Sequence, residues 1–150
     1  MELLKIGGLN NAKMIPIVGI GLTKDFFEVD FNDEMTWNKF LQLENYHSAQ
    51  FAIELGDNGF SELGISQGDY LLFQNYSYDS VREKIITVRS EERYIIRLAT
   101  NVTPDTSILT VPANVYPPLE LMSENIRIIG VECGFIKPHD DMVIIDTNDL

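Results

Sequence analysis

Apolar and polar residues alternate in short runs along most of this chain, the period-two pattern of strands with one buried face. Phe51, Ile53 and Leu55 alternate with Ala52 and Glu54 and predict a half-buried strand. Tyr70-Leu71-Leu72-Phe73, Ile85-Ile86-Thr87-Val88, Tyr94 to Leu98, Ile108 to Val111 and Ile126 to Ile136 follow, all rich in β-branched or aromatic residues. Turn-prone stretches such as Ser90-Glu91-Glu92-Arg93 separate them. Short strands at this spacing predict a mostly-β, barrel-like domain. Met14-Ile15-Pro16-Ile17-Val18-Gly19 opens it, and Pro16, lacking an amide hydrogen, confines that strand to an edge or to its first residues. Between Asn32 and Asn45 the pattern is mixed. Asn32 or Asp33 suits a helix cap, with Glu34 in the first turn and Met35, Phe40, Leu41 and Leu43 on an apolar side. Trp37 fits neither a helical face nor strict alternation.

These patterns divide the chain into a linker-like lead-in over residues 1–13, one domain over 14–137 and an acidic tail over 138–150. Gly7-Gly8-Leu9-Asn10-Asn11 gives the lead-in its turn-prone character. In the tail, Met142-Val143-Ile144-Ile145 offers one more strand, free to pair at an edge.

The 150 residues, 45% of them hydrophobic, suffice for one core without disulfides or metal. The formal net charge of −12 opposes a phosphate backbone, so direct nucleic-acid binding by this chain is not expected. No apolar run reaches the roughly 18 residues of a membrane span. Met1 to Gly8 lacks the apolar core and cleavage site of a signal peptide. The single cysteine, Cys133, cannot pair within the chain, which together with the foregoing suggests a reducing, cytoplasmic setting. Its place in the apolar run Ile128 to Phe135 predicts a small buried hydrophobe in preference to a reactive thiol. His139 with Asp140 and Asp141 are sequence neighbours that do not converge on one ion, and His47 is isolated, so no metal site is expected. Nothing in the pattern calls for a cofactor.

Phe51 to Phe73 contains an alternating strand, a Gly/Asn-rich turn, Leu63-Gly64-Ile65, and Gly68-Asp69 opening a second apolar strand. This cadence resembles the active-site segment of LexA-type self-cleaving repressors and their peptidase relatives. The likeness runs from about Ile15 to Lys137. Ile15-Pro16-Ile17-Val18-Gly19 is similar to the family's opening strand, and Gly64-Ile65-Ser66-Gln67-Gly68-Asp69 to its Gly-Ile-x-x-Gly-Asp turn. Ile96-Arg97-Leu98 resembles its Lys-Arg-Leu, Val111-Pro112-Ala113-Asn114 its Pro-x-Asn segment, and Ile129 to Ile136 its closing strands. The resemblance implies a mostly-β, LexA-like (β-clip, signal-peptidase-like) compact domain of short twisted strands.

It also implies chemistry that these residues do not carry. In the family a serine, activated by a desolvated neutral lysine, cleaves a peptide bond. Gly59 stands at the serine's position and Ile96 at the lysine's, and the Ala-Gly scissile pair is replaced by something near Thr23-Lys24. Isoleucine fills a lysine's space with apolar surface, which suits a site with no nucleophile to activate. The expected catalytic set is therefore none, with Gly59 and Ile96 as vestigial dyad positions. Ser61, two residues on, is an outside candidate, displaced by more than catalysis tolerates. Lys84, the nearest lysine, reads as a surface residue heading a strand. Asp69 reads as a turn carboxylate accepting local backbone hydrogen bonds.

Such domains in the repressor family hold chains together beside a DNA-binding helix-turn-helix, which this chain does not show. The resemblance therefore implies a catalytically inactive oligomerisation or protein-interaction module of a bacterial or phage transcriptional regulator, forming a homodimer or higher homo-oligomer. Interface candidates are Ile126, Ile128, Val143, Ile144, Ile145 and Trp37. Asp30, Asp33 and Glu34, interleaved with Phe26, Phe27, Phe31 and Trp37, read either as a solvated edge over apolar residues or as a surface for a protein partner. Two alternatives stand beside this reading. One is a peptide- or effector-binding module using the vestigial cleft; the other is a residual serine peptidase with non-standard residues.

Overall fold

The structure, a computed structural model, describes residues 13–29, 31, 37–43, 48–76, 81–138 and 143–147. Its strands are β1 (Lys13–Gly21), β2 (Lys39–Leu43), β3 (Phe51–Leu55), β4 (Tyr70–Asn75) and β5 (Ile85–Ser90), then β6 (Arg93–Val102), β7 (Thr106–Thr110), β8 (Leu119–Met122), β9 (Ile126–Ile136) and β10 (Val143–Asp146). They form one mixed sheet in the order β10-β2-β1-β3-β4-β9-β5-β6-β7-β8. Among the described residues only β1 and β3 pair in parallel; the other ladders are antiparallel. Among the described residues the only helical turns are 3-10 turns at Ser61–Leu63, Pro112–Asn114 and Ser123–Asn125. No helix among them is long and apolar enough to cross a membrane.

The mostly-β expectation describes this architecture, with two corrections. The strands are not uniformly short, since β6 has 10 residues and β9 has 11. No ladder among the described residues joins the end strands β10 and β8, while backbone bonds between Phe27 and Tyr94 and from the Ile96 amide to Leu22 O join the stretch after β1 to β6. The strand containing Pro16 has neighbours on both sides: Lys13–Pro16 pairs with β2, and Ile17, Ile20 and Gly21 pair with β3. Pro16 thus sits where one ladder ends and the other begins, so the restriction against a missing amide donor acts on half of the strand.

Alternation along each strand distributes side chains between two faces. Phe51, Ile53, Leu55, Leu71, Phe73, Ile85, Tyr94 and Ile96 join one cluster. On the opposite face Ala52, Tyr70 and Leu72 join a second, and Ile86, Val88, Ile95 and Ala99 a third. β3 is consequently covered on both faces, with Ala52 fully buried, where alternation with Glu54 suggested a half-buried strand. Ala52 meets Ile15, Leu41 and Leu72 in that second layer.

The mixed segment resolves only where it is described: Lys39–Leu43 is strand β2, and residues 32–36 lie outside the described set. The aromatic residues beside it do not form an exposed patch. Phe27 is buried and exchanges backbone hydrogen bonds with Tyr94 at 2.8 and 2.9 Å. Phe31 packs against the rings of Phe51 and Tyr94, and Trp37 is half-buried against the same cluster. Asp30, Asp33, Glu34, His47, His139, Asp140 and Asp141 lie outside the described residues.

Candidate functional site

The chain leaves β1 at Gly21 and crosses in front of β6 before Phe27 pairs with Tyr94. This crossing, Leu22 to Asp25, is a strap laid over the two positions that the resemblance assigned to nucleophile and base. At its start the Gly56 amide donates to Gly21 O at 2.8 Å and the Ile96 amide to Leu22 O at 3.1 Å. Ile96 is fully buried. A Cβ on Gly21 would lie 2.7 Å from Ile96 Cδ1, so the isoleucine fills the room a side chain at 21 would need. Gly59 approaches the strap from the other side. A Cβ on Gly59 would fall inside contact distance of Thr23 Oγ1 and 2.9 Å from Thr23 Cβ. Thr23, itself fully buried, thus occupies the space that a serine side chain at 59 would take.

Two charged side chains hold the strap. The Asp57 carboxylate accepts hydrogen bonds from the Thr23 amide at 2.8 Å, the Thr23 hydroxyl at 2.7 Å and the Lys24 amide at 3.0 Å. It also accepts from the Gly59 amide at 3.1 Å, which ties the clamp to its own turn. Arg97, only 1% exposed, donates to Thr23 O at 2.8 Å, Pro117 O at 2.8 Å, Lys24 O at 3.3 Å and Leu109 O at 3.4 Å. Burial pushes its guanidinium below its ordinary pKa, opposed by the charges of Asp57 and Asp25 and by Tyr116. A guanidinium cannot lose its proton in a protein, so it must be satisfied where it lies. Carbonyl oxygens do that here, with the carboxylates as longer-range countercharge.

The turn beneath the strap needs its glycines. Gly64 and Gly68 have φ of +81° and +94°, the left-handed region that side chains avoid. Asp69 is buried, accepting from the Ser66 amide and from Lys137 Nζ, each at 2.8 Å. The local bond fits the turn reading; the link to Lys137, 68 residues away, has no local sequence signal.

The outside candidates Ser61 and Lys84 are both exposed. Ser61 is exposed at the start of a 3-10 turn, its amide donating to Asn58 O at 3.1 Å. Lys84 is exposed just ahead of β5. Among the described residues no cluster of His, Cys, Asp or Glu has the geometry to hold a metal. Cys133 is half-buried against the second cluster instead of fully buried, with its thiol donating to Leu72 O at 3.5 Å. Burial, as the largest influence, pushes that thiol pKa up, away from reactivity.

Of the interface candidates, Ile126 and Ile128 are half-buried against the third cluster on β9, which lies between β4 and β5. They edge an open groove of about 430 Å³ together with Tyr76 and Val102. Val143, Ile144 and Ile145 form β10, paired with Gln42, Leu41 and Phe40 of β2. Among the described residues β10 ends the sheet, and its Ile144 is 41% exposed.

Asp57 and the role of Arg97 were missed by sequence reasoning. Asp57 sits in Gly56-Asp57-Asn58-Gly59, where an aspartate looks like turn chemistry. The available signal was Arg97 within the apolar run Tyr94 to Leu98: a charge on a buried strand requires partners. Chemically, the centre has no hydroxyl at 59 and no titratable atom at 96. It holds peptide backbone through a carboxylate and a guanidinium. No protein-family model matches the chain, and no curated protein matches it either.

Proposed function

We propose that this chain is a LexA-like domain without the Ser-Lys chemistry, serving as an oligomerisation and protein-interaction module of a bacterial or phage transcriptional regulator. The observation that carries the reading is a convergence. Gly59, Ile96 and Thr23-Lys24 were assigned separately to nucleophile, base and cleavage site, and residues distant in sequence meet at one strap. That meeting supports a peptidase-like ancestry, and the residue types at the three positions support loss of cleavage.

Self-association is supported at the β10 edge. An edge strand presents unpaired backbone groups that invite another strand. β10 is apolar and β-branched over Val143, Ile144 and Ile145, whereas the opposite edge, β8, carries the exposed Glu120. Antiparallel pairing of two β10 strands about a two-fold axis would be self-complementary and closed. The four-residue ladder sets register, and the surrounding surface must supply most of the roughly 1,600 Å² that a stable interface buries.

Ile144→Lys tests this assignment by sedimentation equilibrium. A charge on the pairing edge should weaken the dimer at least tenfold without changing the β-sheet circular dichroism. A dimer of unchanged affinity would remove β10 from the interface.

A further inference from the structure

We propose that the groove at the start of β9 binds a small amphipathic carboxylate, an apolar body carrying one anionic head. Its volume of about 430 Å³ lies within the usual range of small-molecule sites. β4 pairs with β9 only from Gly130 onward, so one edge of Ile126 to Ile129 has no strand beside it among the described residues. The groove runs there. Tyr76, just after β4, and Val102, the last residue of β6, form its apolar wall with Ile126 and Ile128. Tyr76 and Val102 are each 39% exposed, while Ile126 and Ile128 are half-buried against the third cluster. An apolar body laid on this wall removes that surface from water.

Charge decides the head. In a chain with 23 acidic against 11 basic residues, the charged residue lining this groove among the described residues is Arg127. It is exposed and has no hydrogen bond or ion pair among the described residues. Its register partner across the β5–β9 ladder is a second arginine, Arg89. Like charges directly opposite destabilise a ladder, and a bound anion relieves that repulsion. Arg89 donates from Nε to Glu91 O at 2.7 Å, which leaves its two terminal nitrogens for a ligand. Glu91 and Glu124 line a smaller hollow that shares Ile126 and Arg127 with the groove. Their charges oppose a dianionic head and favour a single carboxylate, which suits a guanidinium in its bidentate geometry. The opposite end is closed to anions. Ser123 donates its hydroxyl proton to Thr103 O at 2.7 Å, so the buried Ser107 is the donor in its 2.8 Å contact with Ser123. Both protons are spent within the protein, and the serine end presents acceptors alone.

The inference rests on neither the β10 edge nor the strap, none of whose residues lines the groove. Its test titrates octanoate into the full chain and follows backbone amide chemical shifts. Octanol supplies the body without the head, and acetate the head without the body. Octanoate should bind saturably with a dissociation constant of about 1 mM, as expected for a ligand of this size. The shifts should centre on Val102, Ser123, Ile126, Arg127 and Ile128. Acetate should bind at least tenfold more weakly and octanol at least fivefold. Arg127→Gln, at an exposed residue with no bond to lose, should weaken octanoate at least fivefold and leave octanol unchanged. Val102→Asp, on the exposed wall, should weaken both. Equal binding of octanoate and octanol would reduce the groove to an apolar patch, and equal binding of acetate to an adventitious anion contact. Either result, an unchanged affinity in Arg127→Gln, no saturable binding, or shifts centred on Leu63 and Val115 would overturn the site.

Discussion

Arg97→Met removes the strap's buried cation while keeping a long, flexible, apolar side chain of similar reach. Four carbonyl oxygens lose their donor, two of them, on Thr23 and Pro117, bonded at 2.8 Å. A hydrogen bond to a charged group contributes about 1.5 to 3 kcal/mol net, so these two alone are worth about 3 to 6 kcal/mol. The two longer bonds, at 3.3 and 3.4 Å, add less. Relief from burying a guanidinium works the other way, because an apolar replacement escapes the desolvation cost. The expected net loss is about 3 kcal/mol, a large share of the roughly 5 to 15 kcal/mol that stabilises a domain. Urea denaturation measures it, with the midpoint moving and the slope unchanged. Hydrogen exchange then localises the loss: the Thr23, Lys24 and Ile96 amides should exchange faster, ahead of those in β4. A loss below about 1 kcal/mol, or protection unchanged at Thr23 and Lys24, would refute the view that Arg97 holds the strap.

Gly59→Ala places a methyl against Thr23 and should cost about 1 to 3 kcal/mol, as overpacking does. Combining it with Thr23→Gly should recover at least about 1 kcal/mol in a double-mutant cycle, and additive losses would mean the two positions do not meet. Thr87 Oγ1 is buried without a hydrogen-bond partner among the described residues, so Thr87→Val should raise stability by about 1 kcal/mol. An equal loss in chemical denaturation would show that the hydroxyl is bonded. Burial pushes the Glu132 carboxyl above its ordinary value of 4.5. The native state then keeps this proton where the unfolded chain has released it, so the associated stability is full below pH 4.5 and lost as pH rises through the raised native value. Glu132→Gln should accordingly gain stability over wild type as pH rises toward neutrality; a difference that is flat across that range would contradict the assignment.

How much of this was legible in the sequence depended on whether the signal was local. Strands β3 to β6 followed from alternation and β-branched content, because the period-two pattern is set by the backbone itself. The turn from Gly64 to Asp69 was legible for a similar reason: left-handed backbone asks for glycine. What the pattern did not show was long-range. That β3 is covered on both faces depends on β1, β2 and β4 bringing Ile15, Leu41 and Leu72 against Ala52. The strand order, and the return of the stretch after β1 to β6, depend on which strands meet, which no window of sequence records. The resemblance drew attention to Gly59 and Ile96 but not to the side chains that bond the strap, because Asp57 and Arg97 lie 34 and 74 residues from Thr23. Phe31 and Trp37, read as candidates for an exposed surface, instead pack on the first cluster, Phe31 against the ring of Tyr94.

The central claim is that the domain kept an assembly role without its chemistry, and the mass of the wild-type chain in solution tests it most directly. Light scattering over a hundredfold range of concentration should give a stable species at twice the 17.1 kDa of the chain or a higher multiple. A strict monomer across that range would contradict the account.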